Sequence, residues 1–127
     1  MNYPYQKDIS GAHYPLIDLL ISYKNNSTRL FSLVDSGASI SIFRPEVALM
    51  LGLKIETGKK IEMGGVGGKI SGYLHQLRLD IAGKILSAPV VFSHQYEVSF
   101  NLLGREEVFK HFQIIFEENK LQTRFEK

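Results

Sequence analysis

Apolar residues recur at every second position along much of this chain, in short runs separated by turn-forming residues. That is the period of half-buried β-strands. The run Pro15 to Tyr23, "PLIDLLISY", puts Ile17, Leu19 and Ile21 on one face. "KNNS" follows as a hairpin-like turn, and "TRLFSLV" returns as the partner strand. After Asp35, "SISIF" makes a further short strand. Pro45 fits the first position of a helix, and "PEVALMLG" predicts one or two helical turns closed by Gly52.

"LKIETGKKIEM" and "KISGYLHQLRLDI" predict two long strands joined by "GGVGG". "AGK" turns the chain into "ILSAPVVF", where Pro89 marks an edge position or a strand end. A loop through His94 and Tyr96 leads to "FNLLG". In "REEVFKHF", Val108, Phe109 and Phe112 are spaced for one face of a short helix. The end, "QIIFEENKLQTRF", predicts a hairpin over residues 113–126 with Glu118 to Lys120 near its turn. About nine strands and two short helices make the expected fold mainly β.

Length and composition narrow this picture. At 127 residues the chain holds one core, so residues 1–127 read as a single domain. With 44% hydrophobic and 22% charged residues it has the balance of a soluble globular protein. The 15 basic and 13 acidic residues are interspersed, and Lys59 and Lys60 are the only adjacent basic pair. No basic stripe with interleaved aromatics calls for nucleic acid. The absence of cysteine removes disulfides, thiolate catalysis and cysteine-bound metals together. His13, His75, His94 and His111 show no metal-ligand spacing. "MNYPYQKDISGAHYP" does not read as a signal peptide, and the run "LIDLLI" is too short for a bilayer and contains Asp18. The expectation is a cytoplasmic chain with no membrane, nucleic acid, metal or cofactor as partner.

Candidate chemistry starts at "FSLVDSGASISIF", where Asp35 stands between two runs that both look buried. A buried carboxylate is costly unless paired or hydrogen-bonded, and perturbed acids concentrate at functional sites. Taken alone, Asp-Ser-Gly is most simply a turn between core strands. "MGGVGGKISGY" is a glycine-rich hairpin tip; neither phosphate-loop spacing fits it, and no helix follows to face an anion. "NLLGRE" alone reads as core packing followed by a surface charge. A serine hydrolase built on Ser36 or Ser39 lacks G-x-S-x-G.

In this order, "LVDSGAS", "GGVGGKI" and "NLLGRE" resemble the active-site loop, the flap, and the hydrophobic-hydrophobic-Gly motif of retropepsin-like aspartic proteases. The resemblance covers about residues 15–116, and the layout is most like the small single-domain bacterial members. It implies a closed, barrel-like acid-protease lobe with a flap hairpin. It also implies that Asp35 is catalytic, and that Ser36, Gly37 and Ala38 support its loop, backed by Leu102, Leu103, Gly104 and Arg105. Gly64, Gly65, Val66, Gly67 and Gly68 would be the substrate-binding flap. Such a lobe supplies one aspartate per subunit, so the implied enzyme is a homodimer that activates a water with an Asp pair and cleaves extended peptides. No metal or organic cofactor enters that chemistry. The alternative is a peptide-binding or dimerisation module that keeps the fold without turnover.

Two features depart from the viral members. They carry an Asp four residues past the catalytic acid that pairs with the motif arginine, whereas this chain has Ser39. Arg105 then needs another partner, such as Glu106, Glu107 or a backbone carbonyl. Viral chain ends also interleave into an interface sheet, while here "ENKLQTRF" extends the chain and could augment or obstruct that interface.

Overall fold

A computed structural model describes residues 1–65 and 68–127. Three short strands open the chain: β1 (Asn2–Pro4), β2 (Gln6–Lys7) and β3 (His13–Tyr14). The hairpin β4 (Leu16–Tyr23) and β5 (Asn26–Val34) follows, then β6 (Ser41–Phe43) and the helix α1 (Pro45–Met50). Next come β7 (Lys59–Gly65), the long β8 (Gly68–Ile81), and β9 (Lys84–Phe92). The chain ends with β10 (Asn101–Leu103), β11 (Gln113–Glu117) and β12 (Gln122–Glu126).

Seven strands make one sheet in the order β4-β5-β10-β6-β9-β8-β7, and β4 also pairs with β8. That last pairing, with Ile21 opposite Leu79, closes the sheet into a barrel. β7 stays outside the ring and, among the described residues, pairs with β8 alone, so β7 and β8 project as a hairpin. The period-2 pattern fills the barrel: Ile17, Leu19 and Ile21 from β4 and Leu77, Leu79 and Ile81 from β8 are all buried. The fold found is mainly β: a closed barrel with a projecting hairpin, as expected.

Local chemistry explains where elements begin and end. Pro45 opens α1, and Gly52 at φ +66° ends it while the Leu53 N–H donates to the Ala48 carbonyl at 2.9 Å. "LKIETGKKIEM" is not one strand. The Thr57 hydroxyl donates to the Lys54 carbonyl at 2.7 Å, residues Ile55–Thr57 coil into a 3₁₀ turn, and the strand starts only at Lys59. "REEVFKHF" forms no α-helix either. Glu107 takes φ 58°, which interrupts helical hydrogen bonding, and only Phe109–His111 coils, as a 3₁₀ turn. Val108 is nevertheless buried, with Phe109 and Phe112 packed on the core as their spacing predicts. Pro89 lies within β9, one residue before its pairing with β6 begins at Val90. The β6 side of β9 is still an edge there, which is where a missing N–H is tolerated.

The three N-terminal strands carry no periodic signal because each is at most three residues long. β1 completes a second sheet, β1-β12-β11, whose Phe125 ring packs edge-on against Tyr3 and Phe112. No helix among the described residues is long and apolar enough to cross a membrane.

Candidate active site

β5 and β6 follow one another in sequence but are not neighbours, because β10 lies between them. It runs parallel to β5, with Leu103 opposite Val34, and antiparallel to β6, with Leu102 opposite Ile42. Residues 35–40 must therefore arch over the end of β10. The chain that leaves β10 supplies their anchors. The Asp35 N–H donates to the Leu103 carbonyl (3.1 Å), the Arg105 N–H to that of Ala38 (3.0 Å), and the Glu106 N–H to that of Ser39 (2.9 Å). Beneath the arch the buried Gly104 N–H donates to Ser41 Oγ at 3.0 Å. A Cβ on Gly104 would run into the backbone of Ile40 and stand 2.5 Å from its carbonyl oxygen, so only glycine lets the two chains stack.

Within the arch, Asp35 Oδ1 accepts the Gly37 N–H at 2.9 Å and the Asp35 carbonyl accepts the Ala38 N–H at 3.2 Å. This orients the carboxylate. In the single chain Asp35 is half-buried, and Ser36, Gly37 and Ser39 are exposed. The full desolvation suggested by its apolar flanks is absent, because β5 ends at Val34 and the acid is the first residue beyond the barrel.

The β7–β8 hairpin faces this loop. Gly65 pairs with Gly68 near its tip, and Gly64 has open space around it. Val66 and Gly67 lie outside the described residues. A hollow of about 190 Å³ separates Gly37, Ala38, Ser39 and Ile40 from Met63 and Gly64. It shares Ile42, Met63 and Gly64 with a second hollow of about 260 Å³ bounded by Ile70, Tyr96 and Val98. The two make one cleft between the Asp35 loop and the hairpin, of a form that accepts an extended chain.

Three features of the cleft had no signal in the sequence. The Ser93 hydroxyl donates to the Ser71 carbonyl at 2.5 Å, and the Ser71 N–H donates to Gln95 Oε1 at 2.7 Å, tying the middle of the hairpin to the loop after β9. Asn101 joins β5 to the residue after β6, donating to the Phe31 carbonyl and accepting the Arg44 N–H. Tyr96, which alternation places merely in a loop, is buried with its hydroxyl donating to the Phe100 carbonyl at 2.7 Å. Burial pushes its phenol up to about 12; the Asp35 charge adds to this and Arg44 opposes it.

Leu103 and Gly104 are buried behind the loop, while Leu102 is half-buried. Arg105 acts through its backbone. Its side chain is exposed and forms no ion pair among the described residues, and Glu107 pairs with Lys110 at 2.6 Å instead. Among the described residues no three His, Asp or Glu side chains converge so as to hold a metal ion.

The sequence profile of a family described as aspartyl protease matches residues 21–106, more than half of the chain. No curated protein matches the chain in sequence. Among solved structures the chain is similar to EIAV protease, complexed with the inhibitor HBY-793. The TM-score is 0.60 at 23% identity, covering 77% of this chain and 86% of that one. That likeness is one of fold.

Proposed function

Because the chain belongs to the aspartyl protease family, we propose that it is an aspartic endopeptidase working as a homodimer. The observation that carries this reading is the Asp35 carboxylate, oriented by the Gly37 N–H on a backbone-pinned arch whose residues Gly37 to Ile40 wall a cleft faced by a glycine-rich hairpin. The sequence holds a single Asp-Ser-Gly, so a two-aspartate site needs two copies related by a two-fold axis.

In that dimer the two Asp35 carboxylates crowd each other and share one proton, because adjacent like charges cannot both ionise cheaply. The ionised member takes a proton from a water, and the protonated member donates a hydrogen bond to the scissile carbonyl oxygen. The water attacks the carbonyl carbon directly and no covalent enzyme intermediate forms. As the C–N bond breaks, the proton taken from the water passes to the leaving amine. Ser36, exposed on the arch, would brace the two loops across the axis. Gly37 would offer its backbone to the substrate, and Ala38 would let the peptide pass closely. Gly64, Gly65, Val66, Gly67 and Gly68 would lay the peptide down as an added strand.

Asp35→Asn tests this. The carboxamide oxygen can still accept the Gly37 N–H, so the fold should persist. Cleavage of an unfolded protein substrate should fall by about 10²–10⁴-fold. Undiminished cleavage by the variant would overturn the proposal.

A further inference from the structure

The proposed site leaves the first fourteen residues without a task, and their arrangement bears on how two copies meet. The chain ends are already paired inside one protomer. The Met1 ammonium donates to the Phe125 carbonyl at 2.6 Å, and the Phe125 N–H donates to the Met1 carbonyl at 2.9 Å. The Tyr5 N–H donates to the Leu121 carbonyl at 2.8 Å. Exchange of terminal strands between copies would have to break these bonds first.

Another element is free at the right end of the molecule. Pro15 accepts the N–H of Val34 at 3.1 Å, so the chain just upstream of β4 lies level with the residue before Asp35. The β2–β3 hairpin therefore leaves the barrel at its Asp35 end. Its turn is well fixed. Asp8 Oδ1 accepts the Ser10 hydroxyl at 2.6 Å and the Ala12 N–H at 3.0 Å, and the Asp8 N–H donates to the Ala12 carbonyl at 2.9 Å. This rigid turn presents Ile9 fully to solvent, at 108% relative exposure. Ile9 is the most exposed of the large apolar side chains among the described residues. Beside it lies a hollow of about 590 Å³, walled by the turn on one side and by Tyr14, Ser99 and Phe100 on the other. The Tyr14 and Phe100 rings lie 4.9 Å apart.

We propose that the β2–β3 hairpin is a dimer contact, with Ile9 of each protomer seated in the hollow beside Tyr14 and Phe100 of the other. The inference rests on the dimeric reading above. Two copies must approach through their Asp35 ends, and each then brings one projecting Ile9 and one apolar hollow to the same side. A two-fold interface demands that kind of self-complementarity.

The test is sedimentation velocity over a dilution series of the full chain, its Ile9→Glu variant and its Ile9→Leu variant, with cleavage assayed on the same samples. Ile9→Glu should raise the dimer dissociation constant at least about tenfold, with an unchanged circular dichroism spectrum. Its activity should be lost on dilution and recovered at high protein concentration, while Ile9→Leu dimerises normally. An Ile9→Glu protein that dimerises as tightly as the parent overturns the hairpin contact and leaves the dimeric enzyme standing. The same holds if only KM rises, because the hollow then takes substrate. A parent chain that cleaves while monomeric at every concentration overturns the dimeric reading itself, and the contact with it.

Discussion

Gly104 and Ile40 stack backbone on backbone, so closely that a Cβ on Gly104 would lie 2.5 Å from the Ile40 carbonyl oxygen and 2.8 Å from the Ser41 nitrogen. This contact sets the height of the arch that carries Asp35, because the next two residues, Arg105 and Glu106, hold the arch by their N–H groups. Gly104→Ala should lower stability by about 1–3 kcal/mol through overpacking. Its loss of cleavage should exceed what the unfolded fraction explains. Urea unfolding beside an activity assay reads both, and a fully active, fully stable variant would refute the tight stack.

Ser41 is buried, and its hydroxyl accepts the Gly104 N–H. Ser41→Ala leaves that donor unpaired away from water, at a cost of about 1–3 kcal/mol. The check is the urea midpoint at unchanged slope. No shift in midpoint would mean that the amide finds another acceptor.

Tyr96 gives a pH signature of proximity to Asp35. Its phenol is raised from 10.0 to about 12 in the fold, by burial first and the Asp35 charge second. The neutral phenol is the favoured form, so its contribution to stability is complete below pH 10 and is lost as pH rises through about 12. Ultraviolet titration should show a late tyrosine step that is missing in Tyr96→Phe. The step should move to lower pH in Asp35→Asn, where the neighbouring charge is gone. A step unmoved by Asp35→Asn would separate the two residues.

At acid pH the terminal sheet should loosen. Glu117 accepts from Gln122 at 2.6 Å and pairs with Arg124 at 2.9 Å, and these partners hold its carboxyl below the usual 4.5. The charged form is favoured in the fold. Its contribution is therefore present above the usual value and is lost as pH falls through the lowered one. Hydrogen exchange in β12, corrected for intrinsic rates, should quicken on acidification, and less so in Glu117→Gln. Identical profiles for parent and variant would remove Glu117 as the cause.

Much of this was legible in the residues. Period-2 alternation gave β4 with its buried face and marked β8 as a long strand, and Pro45 and Gly52 bracketed α1. The three motifs pointed to one loop, one hairpin and one buttress, and the fold brings all three together. Alternation fails where side chains reach the local backbone. Thr57 bends a predicted strand into a turn, and the positive φ at Glu107 breaks a predicted helix. It is also silent on long-range polar contacts. Nothing around Tyr96 announces a partner at Phe100, and Ser41 is one serine among several until Gly104 is folded onto it. Arg105 shows a third limit: its main-chain N–H is what the fold uses, and main-chain groups leave no mark in a sequence.

Mixing parent chain with Asp35→Asn chain at constant total protein, with time for subunit exchange, tests the shared site most directly. If every active site needs Asp35 from both copies, an equal mixture should retain about one quarter of the parent activity, the share of parent–parent dimers. Retention of about one half, the value for chains that act singly, would contradict the account.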